Sequence, residues 1–224
     1  MIELKNVYKR YKNHHGSDWV LKDININIPN NTSVGLIGRN GAGKSTLLSL
    51  IAGMDEPDKG EIKRDCKISW PIGLSGGLQV SMTGRQNVKF VARIHGFNKN
   101  IDDIVESVKD FAEIGEAFDD PVKTYSSGMK ARLAFGLSLA FDFDVYISDE
   151  ATAVGDRNFR QKAISAFKKR VNNSSLIIVS HSEGILRELC NAGILVHDGQ
   201  ALGFDSIDKA LCAYHDLGFM VWEK

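Results

Sequence analysis

Gly38-Arg39-Asn40-Gly41-Ala42-Gly43-Lys44-Ser45 fits the pattern G-x-x-x-x-G-K-S/T. Residues of these types at this spacing can hold a run of phosphates. Glycines at 38, 41 and 43 let the backbone turn inward with no Cβ in the way. Amide N–H groups then converge on the β- and γ-phosphates of a nucleotide. Lys44 adds a positive charge at the same place, and the Ser45 hydroxyl is placed to ligate Mg²⁺. A helix predicted from about Ser45 to Ala52 aims its positive dipole end at those phosphates. Ser33-Val34-Gly35-Leu36-Ile37 precedes the loop as a short buried strand, and strand, loop and helix is the setting the pattern requires. The plain alternative is a chance Gly-rich turn. Four specified positions recur by chance in a chain of this length on the order of one time in a hundred.

Such a loop serves kinases, GTPases and ATPases alike, and later residues narrow the chemistry. Val145-Tyr146-Ile147-Ser148 is an apolar strand running into Asp149-Glu150. A carboxylate at that strand end suits Mg²⁺ or its water, which falls to Asp149. A second carboxylate beside it suits a base for the attacking water, which falls to Glu150. Alone, the pair would read as a solvated helix start. Ile177-Ile178-Val179-Ser180-His181 repeats the pattern, an apolar strand with a polar tip. A lone histidine is usually structural, but the carboxyl ends of strands are where α/β sites collect, so His181 is a candidate γ-phosphate sensor. Tyr125-Ser126-Ser127-Gly128-Met129 opens a helix leading to the acid-tipped strand. Ser126 can cap it, and the small residues leave its first N–H groups open to an anion. By itself this is an ordinary N-cap.

These tips need a sheet to hold them. Ile24, Ile26 and Ile28 alternate with Asn25 and Asn27, a half-buried strand, and Ile2 and Leu4 alternate with charges, read as an edge strand. Pro57-Asp58-Lys59-Gly60 reads as a tight turn between short strands. From Thr83 to Tyr125 the period becomes helical. Ile101, Ile104, Val105, Val108, Phe111 and Ala112 form one stripe, read as ordinary core. Strands and helices then alternate through 144–148, 157–171, 176–180, 183–190 and 194–196, an α/β sheet, mostly parallel. A hairpin turn is predicted near His197 to Ala201. With 224 residues the chain suits one large domain, or one with an inserted lobe. A formal net charge of zero supplies no basic excess for nucleic acid. The most apolar run, Ala131 to Phe141, is short of the ~20 residues that span a membrane and reads as a buried helix. The N-terminus lacks a signal-peptide pattern, so a cytoplasmic chain is expected. Cys66, Cys190 and Cys212 are odd in number and widely spaced, read as free thiols.

Taken in order, the motifs resemble the nucleotide-binding subunit of an ABC transporter over essentially the whole chain. Gly38 and Arg39-Asn40-Gly41-Ala42-Gly43-Lys44-Ser45-Thr46 match its Walker A motif, and Asp149-Glu150 match the Walker B pair. Ser126-Ser127-Gly128 lie where the family's signature lies, about twenty residues before the Walker B strand. Asp156 falls at the D-loop position, His181 is the switch histidine, and Tyr11 sits where the family stacks adenine, with Tyr8 as runner-up. Leu74-Ser75-Gly76-Gly77-Leu78-Gln79 looks more like the usual signature but precedes the helical block, so it reads as the loop joining core and lobe. The family's Gln, which contacts Mg²⁺ and the lytic water, falls near Leu74 there, which is not Gln, and Gln79 is out of register.

The resemblance implies a P-loop NTPase (RecA-like) α/β core with an N-terminal antiparallel β subdomain and an inserted helical lobe. Residues 1–73 and 131–224 would form the core and 74–130 the lobe, all one domain. It implies ATP and Mg²⁺ as ligands, with Lys44, Glu150 and His181 catalytic. Two copies would bind head to tail, each ATP lying between Lys44 of one and Ser126-Ser127-Gly128 of the other. A separate membrane permease, contacting the glycan, would dock near Leu78, Val80 or Met82 at the cytoplasmic face of the inner membrane. Ile68 to Leu74, Thr83 to Asn87, Tyr125 to Met129 and Thr152 to Asp156 resemble the ATPases of polysaccharide exporters. The chain ends soon after its last helix without the carbohydrate-binding domain frequent in O-antigen exporters, so the resemblance implies the capsular branch, with an O-antigen or teichoic acid exporter ATPase as the alternative. Rival readings are a soluble ABC ATPase and a P-loop GTPase, whose Asn-Lys-x-Asp motif Asn98-Lys99-Asn100-Ile101 does not complete.

Overall fold

A computed structural model describes residues 1–11, 18–72, 77–96, 100–149, 157–171 and 174–220. In chain order its elements are β1 (Ile2–Arg10), β2 (Trp19–Ile28), β3 (Val34–Ile37), α1 (Lys44–Ala52), β4 (Lys59–Arg64), β5 (Ile68–Pro71), α2 (Gly84–Ile94), α3 (Ile101–Ala112), α4 (Ser127–Leu139), β6 (Val145–Asp149), α5 (Arg157–Val171), β7 (Ser175–Val179), α6 (Glu183–Leu189), β8 (Ala192–His197), β9 (Gln200–Phe204) and α7 (Ile207–Met220). They form two compact units. Met1–Trp70, Phe143–Glu150 and Asn173–Lys224 make the first, Pro71–Asp142 and Ala151–Asn172 the second.

The first unit holds two sheets. One is three-stranded and antiparallel, in the order β2-β1-β4. The edge-strand reading of Ile2 and Leu4 is corrected here. Leu4 pairs with Ile26 on one side and Ile62 on the other, so β1 is central. Period-2 alternation marks a strand with one wet face, which central antiparallel strands also have. The turn expected at Pro57 to Gly60 lies earlier, because Lys59 and Gly60 already belong to β4.

The other sheet runs β5-β6-β7-β3-β8-β9, with β6, β7, β3 and β8 parallel and β9 returning antiparallel. The predicted final hairpin turns at Asp198 and Gly199, both at positive φ (47° and 77°), as a two-residue type I′ turn demands. Helix α1 packs between the two sheets. Its Leu47, Leu48, Leu50 and Ile51 share one buried cluster with Ile2, Leu4 and Ile24 of the first sheet and Leu36, Ile147 and Ile177 of the second. Each such side chain stabilises the fold by roughly 1.5–3 kcal/mol relative to exposure, so the helix carrying the phosphate loop is anchored from both sides. Helix α7 covers β3 and β8, and small residues set its distance: a Cβ on Gly193 would stand 2.4 Å from that of Ala210.

The second unit is helical. Thr83 caps α2 in a capping box with Gln86, each side chain bonding the other's backbone N–H (3.1 and 3.0 Å). The predicted stripe of α3 buries Val105, Val108 and Ala112. Helix α4 is buried continuously over Leu133 to Leu139, as expected for a core helix. Phe159 of α5 meets Phe111 edge-on at 5.6 Å, and Lys162 donates to the Phe111 carbonyl at 3.1 Å. The division therefore differs from the expected one. Residues 131–142 and 157–171, assigned to the core by position in the chain, group with the helical unit. No described helix is long and apolar enough to cross a membrane. The three cysteines are free, and burial pushes the Cys190 thiol up to about 12.

Candidate functional site

Strand register assembles the site. Asp149 of β6 pairs with Val179 of β7, and Val179 pairs with Leu36 of β3. That rung places the acid at the same sheet edge from which the phosphate loop leaves β3. Two residues beyond Val179 stands His181. Three segments far apart in the chain thus deliver their polar tips to the carboxyl ends of adjacent parallel strands, where ligands of α/β sheets bind.

The loop itself is held by backbone geometry. Gly38 has φ +152°, and a Cβ there would stand 2.2 Å from the Val196 carbonyl oxygen of β8. The Ala42 N–H donates to the Arg39 carbonyl (3.2 Å), and α1 begins with the bond from Leu47 N–H to the Gly43 carbonyl (2.9 Å). Gly43 occupies the N-cap position, so no side chain caps α1, and its first turn contains no acid. The initial N–H groups of a helix need an acceptor. Gly43 offers them none from a side chain of its own, which is the arrangement an anion completes. Lys44 is buried, and its Nζ donates to the Gly38 and Arg39 carbonyls at 2.7 and 2.9 Å.

Asn40, Gly41 and residues 43–46 line a cleft of about 370 Å³ together with Asp149 and His181. The volume lies within the range of small-molecule sites. Val20 and Val179 complete the lining. Sequence reasoning missed both. Val20 is one of many β-strand valines until the fold brings its carbonyl within 3.3 Å of where a Gly43 Cβ would be. The Ser45 hydroxyl and the Asp149 carboxylate share this cleft, and oxygen donors of this kind suit Mg²⁺. Among the described residues there is no cluster of three or more His, Cys, Asp or Glu able to hold a metal alone.

Tyr11 follows β1 with half its surface exposed, its hydroxyl donating to Asp55 Oδ2 at 2.8 Å. Tyr8, the runner-up, is half-buried and meets Trp19 edge-on at 5.4 Å. In the second unit Ser126 caps α4 by accepting from the Met129 N–H (3.2 Å), as its sequence position predicts, and Ser127 and Gly128 form the first turn. Of the three loop residues weighed for permease docking, Leu78 is buried and Met82 half-buried, while Val80 is 54% exposed. Glu150, Asp156, Leu74 and the pair Asn98-Lys99 lie outside the described residues.

A glycine-rich loop opening an uncapped helix, facing an acid and a histidine on neighbouring strand tips, defines a P-loop nucleotide-binding protein. The family described as ABC transporter matches residues 21–153. The chain belongs to the ABC transporter family, as one of its ATP-hydrolysing domains. It is 52% identical over 204 residues to the polysialic acid transport ATP-binding protein KpsT of Escherichia coli, covering 91% of each chain. The capsule polysaccharide export ATP-binding protein CtrD of Neisseria meningitidis is 44% identical, with 97% of this chain and all of CtrD covered. The ATP-binding protein BexA of Haemophilus influenzae is 42% identical, with 96% and 99% covered. Among solved structures, a dimeric post-hydrolysis state of the ATP-binding cassette MJ0796 bound to ADP and Pi shares the fold. Its TM-score is 0.76 at 24% identity, over 92% of this chain and 99% of that one.

Proposed function

We propose that the chain is the ATP-hydrolysing subunit of a capsular polysaccharide exporter, acting at the cytoplasmic face of the inner membrane through a separate permease that contacts the glycan. The observation that carries this reading is near-complete, two-way coverage of a polysialic acid transport and a capsule polysaccharide export ATP-binding protein at 52% and 44% identity, in a chain whose phosphate loop, acid and histidine share one cleft.

In this reading the loop amides and Lys44 bind the β- and γ-phosphates of ATP, and Tyr11 receives the adenine. Ser45 and Asp149 hold Mg²⁺, which when bound neutralises charge on the phosphate oxygens. Glu150 takes a proton from the attacking water and His181 contacts the γ-phosphate. A second copy supplies Ser126, Ser127 and Gly128, whose helix start adds N–H donors to the same phosphate, and Asp156 serves as a further nucleotide-binding residue. ATP joins the two copies because neither half alone satisfies its charge. Hydrolysis removes that bond, and the opening works the permease through the loop around Val80.

The test is deletion of the gene in its host. Surface polymer should disappear and accumulate inside the cell, and the wild-type chain should restore export where a Lys44→Ala copy does not. Surface polymer persisting in the deletion strain would exclude the role. The dimer is tested on purified Glu150→Gln protein by sedimentation. With ATP and Mg²⁺ it should shift from monomer to dimer and turn over little, and a bulky residue at Ser127 should abolish the shift. Normal turnover by Glu150→Gln would remove that residue from catalysis.

A further inference from the structure

Tyr11 is exposed but not loose. It stands 47% exposed just beyond β1, where packing alone cannot fix a ring. Its hydroxyl donates to Asp55 Oδ2 at 2.8 Å. Lys9 Nζ lies 5.1 Å from the ring centroid and 2.7 Å from Asp55 Oδ1, and also donates to the Glu56 carbonyl at 2.7 Å. Lys9 itself is 8% exposed. The carboxylate at the centre of this group is fixed in turn. Helix α1 closes at Gly53, with bonds from Gly53 N–H to Leu50 and from Met54 N–H to Ser49, and Asp55 follows at once.

One carboxylate thus ties the exposed ring to the far end of the helix whose first turn is the phosphate loop. A free tyrosine at this place would sample several rotamers and lose that freedom when a base stacks on it. The ammonium of Lys9 over the ring is a cation–π contact, so a base stacks on the opposite face. We propose that Asp55 is a positioning residue for the nucleotide base, holding the Tyr11 ring in its stacking orientation before ATP arrives. This rests on the reading of Tyr11 as the adenine platform. Lys9 first, and Tyr11 after it, hold the Asp55 carboxyl below its ordinary value, so it stays an acceptor for both at neutral pH. Nothing in the sequence pairs residues 11 and 55; only the fold brings them together.

The experiment compares calorimetric binding of ATP and of tripolyphosphate, which has no base, to wild-type protein, Asp55→Ala, Tyr11→Phe and the double variant. Each single variant should bind ATP roughly two- to ten-fold more weakly and tripolyphosphate unchanged. The double variant should lose no more than either single one, since both remove the same bond. Asp55→Ala should raise KM for ATP with kcat retained, and Asp55→Asn, which keeps an oxygen acceptor, should recover part of the loss. Equal weakening for both ligands, additive losses, or unchanged ATP affinity would overturn the proposal. If Asp55→Ala fails to fold because Lys9 has lost its partner, Tyr11→Phe carries the same test by removing only an exposed oxygen. A wild-type protein that binds neither ligand would overturn the nucleotide reading itself, and the proposal with it.

Discussion

Lys44→Ala is expected to bind ATP roughly ten- to hundred-fold more weakly, the worth of a hydrogen bond to a charged group, and to lose a further 10²–10³ or so in hydrolysis, as when one donor to developing charge is removed. The reason lies in what the ammonium does before ligand arrives. It is buried and bonded to the Gly38 and Arg39 carbonyls, so the loop already encloses a positive charge. ATP brings phosphate oxygens to a charge that has been desolvated and oriented in advance, and charge-assisted bonds made there are stronger than in water. Alanine removes that charge and leaves two loop carbonyls short of a donor. Thermal shift with and without ATP separates the two losses. Wild-type protein should gain stability with ligand concentration, and the variant should start slightly lower and gain almost nothing. A variant with the same ATP-dependent gain would mean that the loop is not the phosphate site.

What could be read in advance was what local chemistry dictates. The phosphate loop, its strand and its helix carry their own signature between Val34 and Ala52, and β3 and α1 lie where that signature puts them. Helix α5 spans the predicted 157–171, and Ser126 caps α4 through Met129. What could not be read depends on contacts between distant segments. Alternation in β1 reports one wet face but says nothing about how many neighbours bond its edges. The grouping of α4 and α5 with the helical unit depends on Phe111 meeting both Phe135 and Phe159, and on Lys162 reaching Glu113. Chain order placed α5, and α4 from residue 131 on, with the sheet instead. The site divides the same way. Lys44, Ser45, Asp149 and His181 are legible because each sits in a motif, and the structure brings them to one cleft. Val20 and Asp55 have no motif. They enter through β2 passing Gly43 and through the C-terminal end of α1.

Two glycines of the loop should respond very differently to the same added methyl group. Both have positive φ, +152° at Gly38 and +81° at Gly41, which L-residues adopt at a cost. At Gly38 the methyl would also meet the Val196 carbonyl oxygen at 2.2 Å, a backbone atom of β8 where it pairs with Ala201 of β9, which cannot rotate away. Strain of roughly 1–3 kcal/mol adds to an overpacking cost of similar size, so Gly38→Ala should lose about 3 kcal/mol or more. In a protein of this size that lowers Tm by roughly 6–12 °C. At Gly41 nothing lies within 4 Å of the new Cβ. Gly41→Ala should cost only the conformational ~1 kcal/mol or so and fold normally. Yet Gly41 lines the cleft, and a methyl there holds phosphates away from the loop amides. Its loss should therefore appear in ATP affinity. Paired measurements of Tm and nucleotide binding decide the matter, because Gly38 is constrained by the sheet and Gly41 by the ligand. Equal losses of stability in both variants would mean that backbone conformation alone, and not the Val196 carbonyl, requires glycine at position 38.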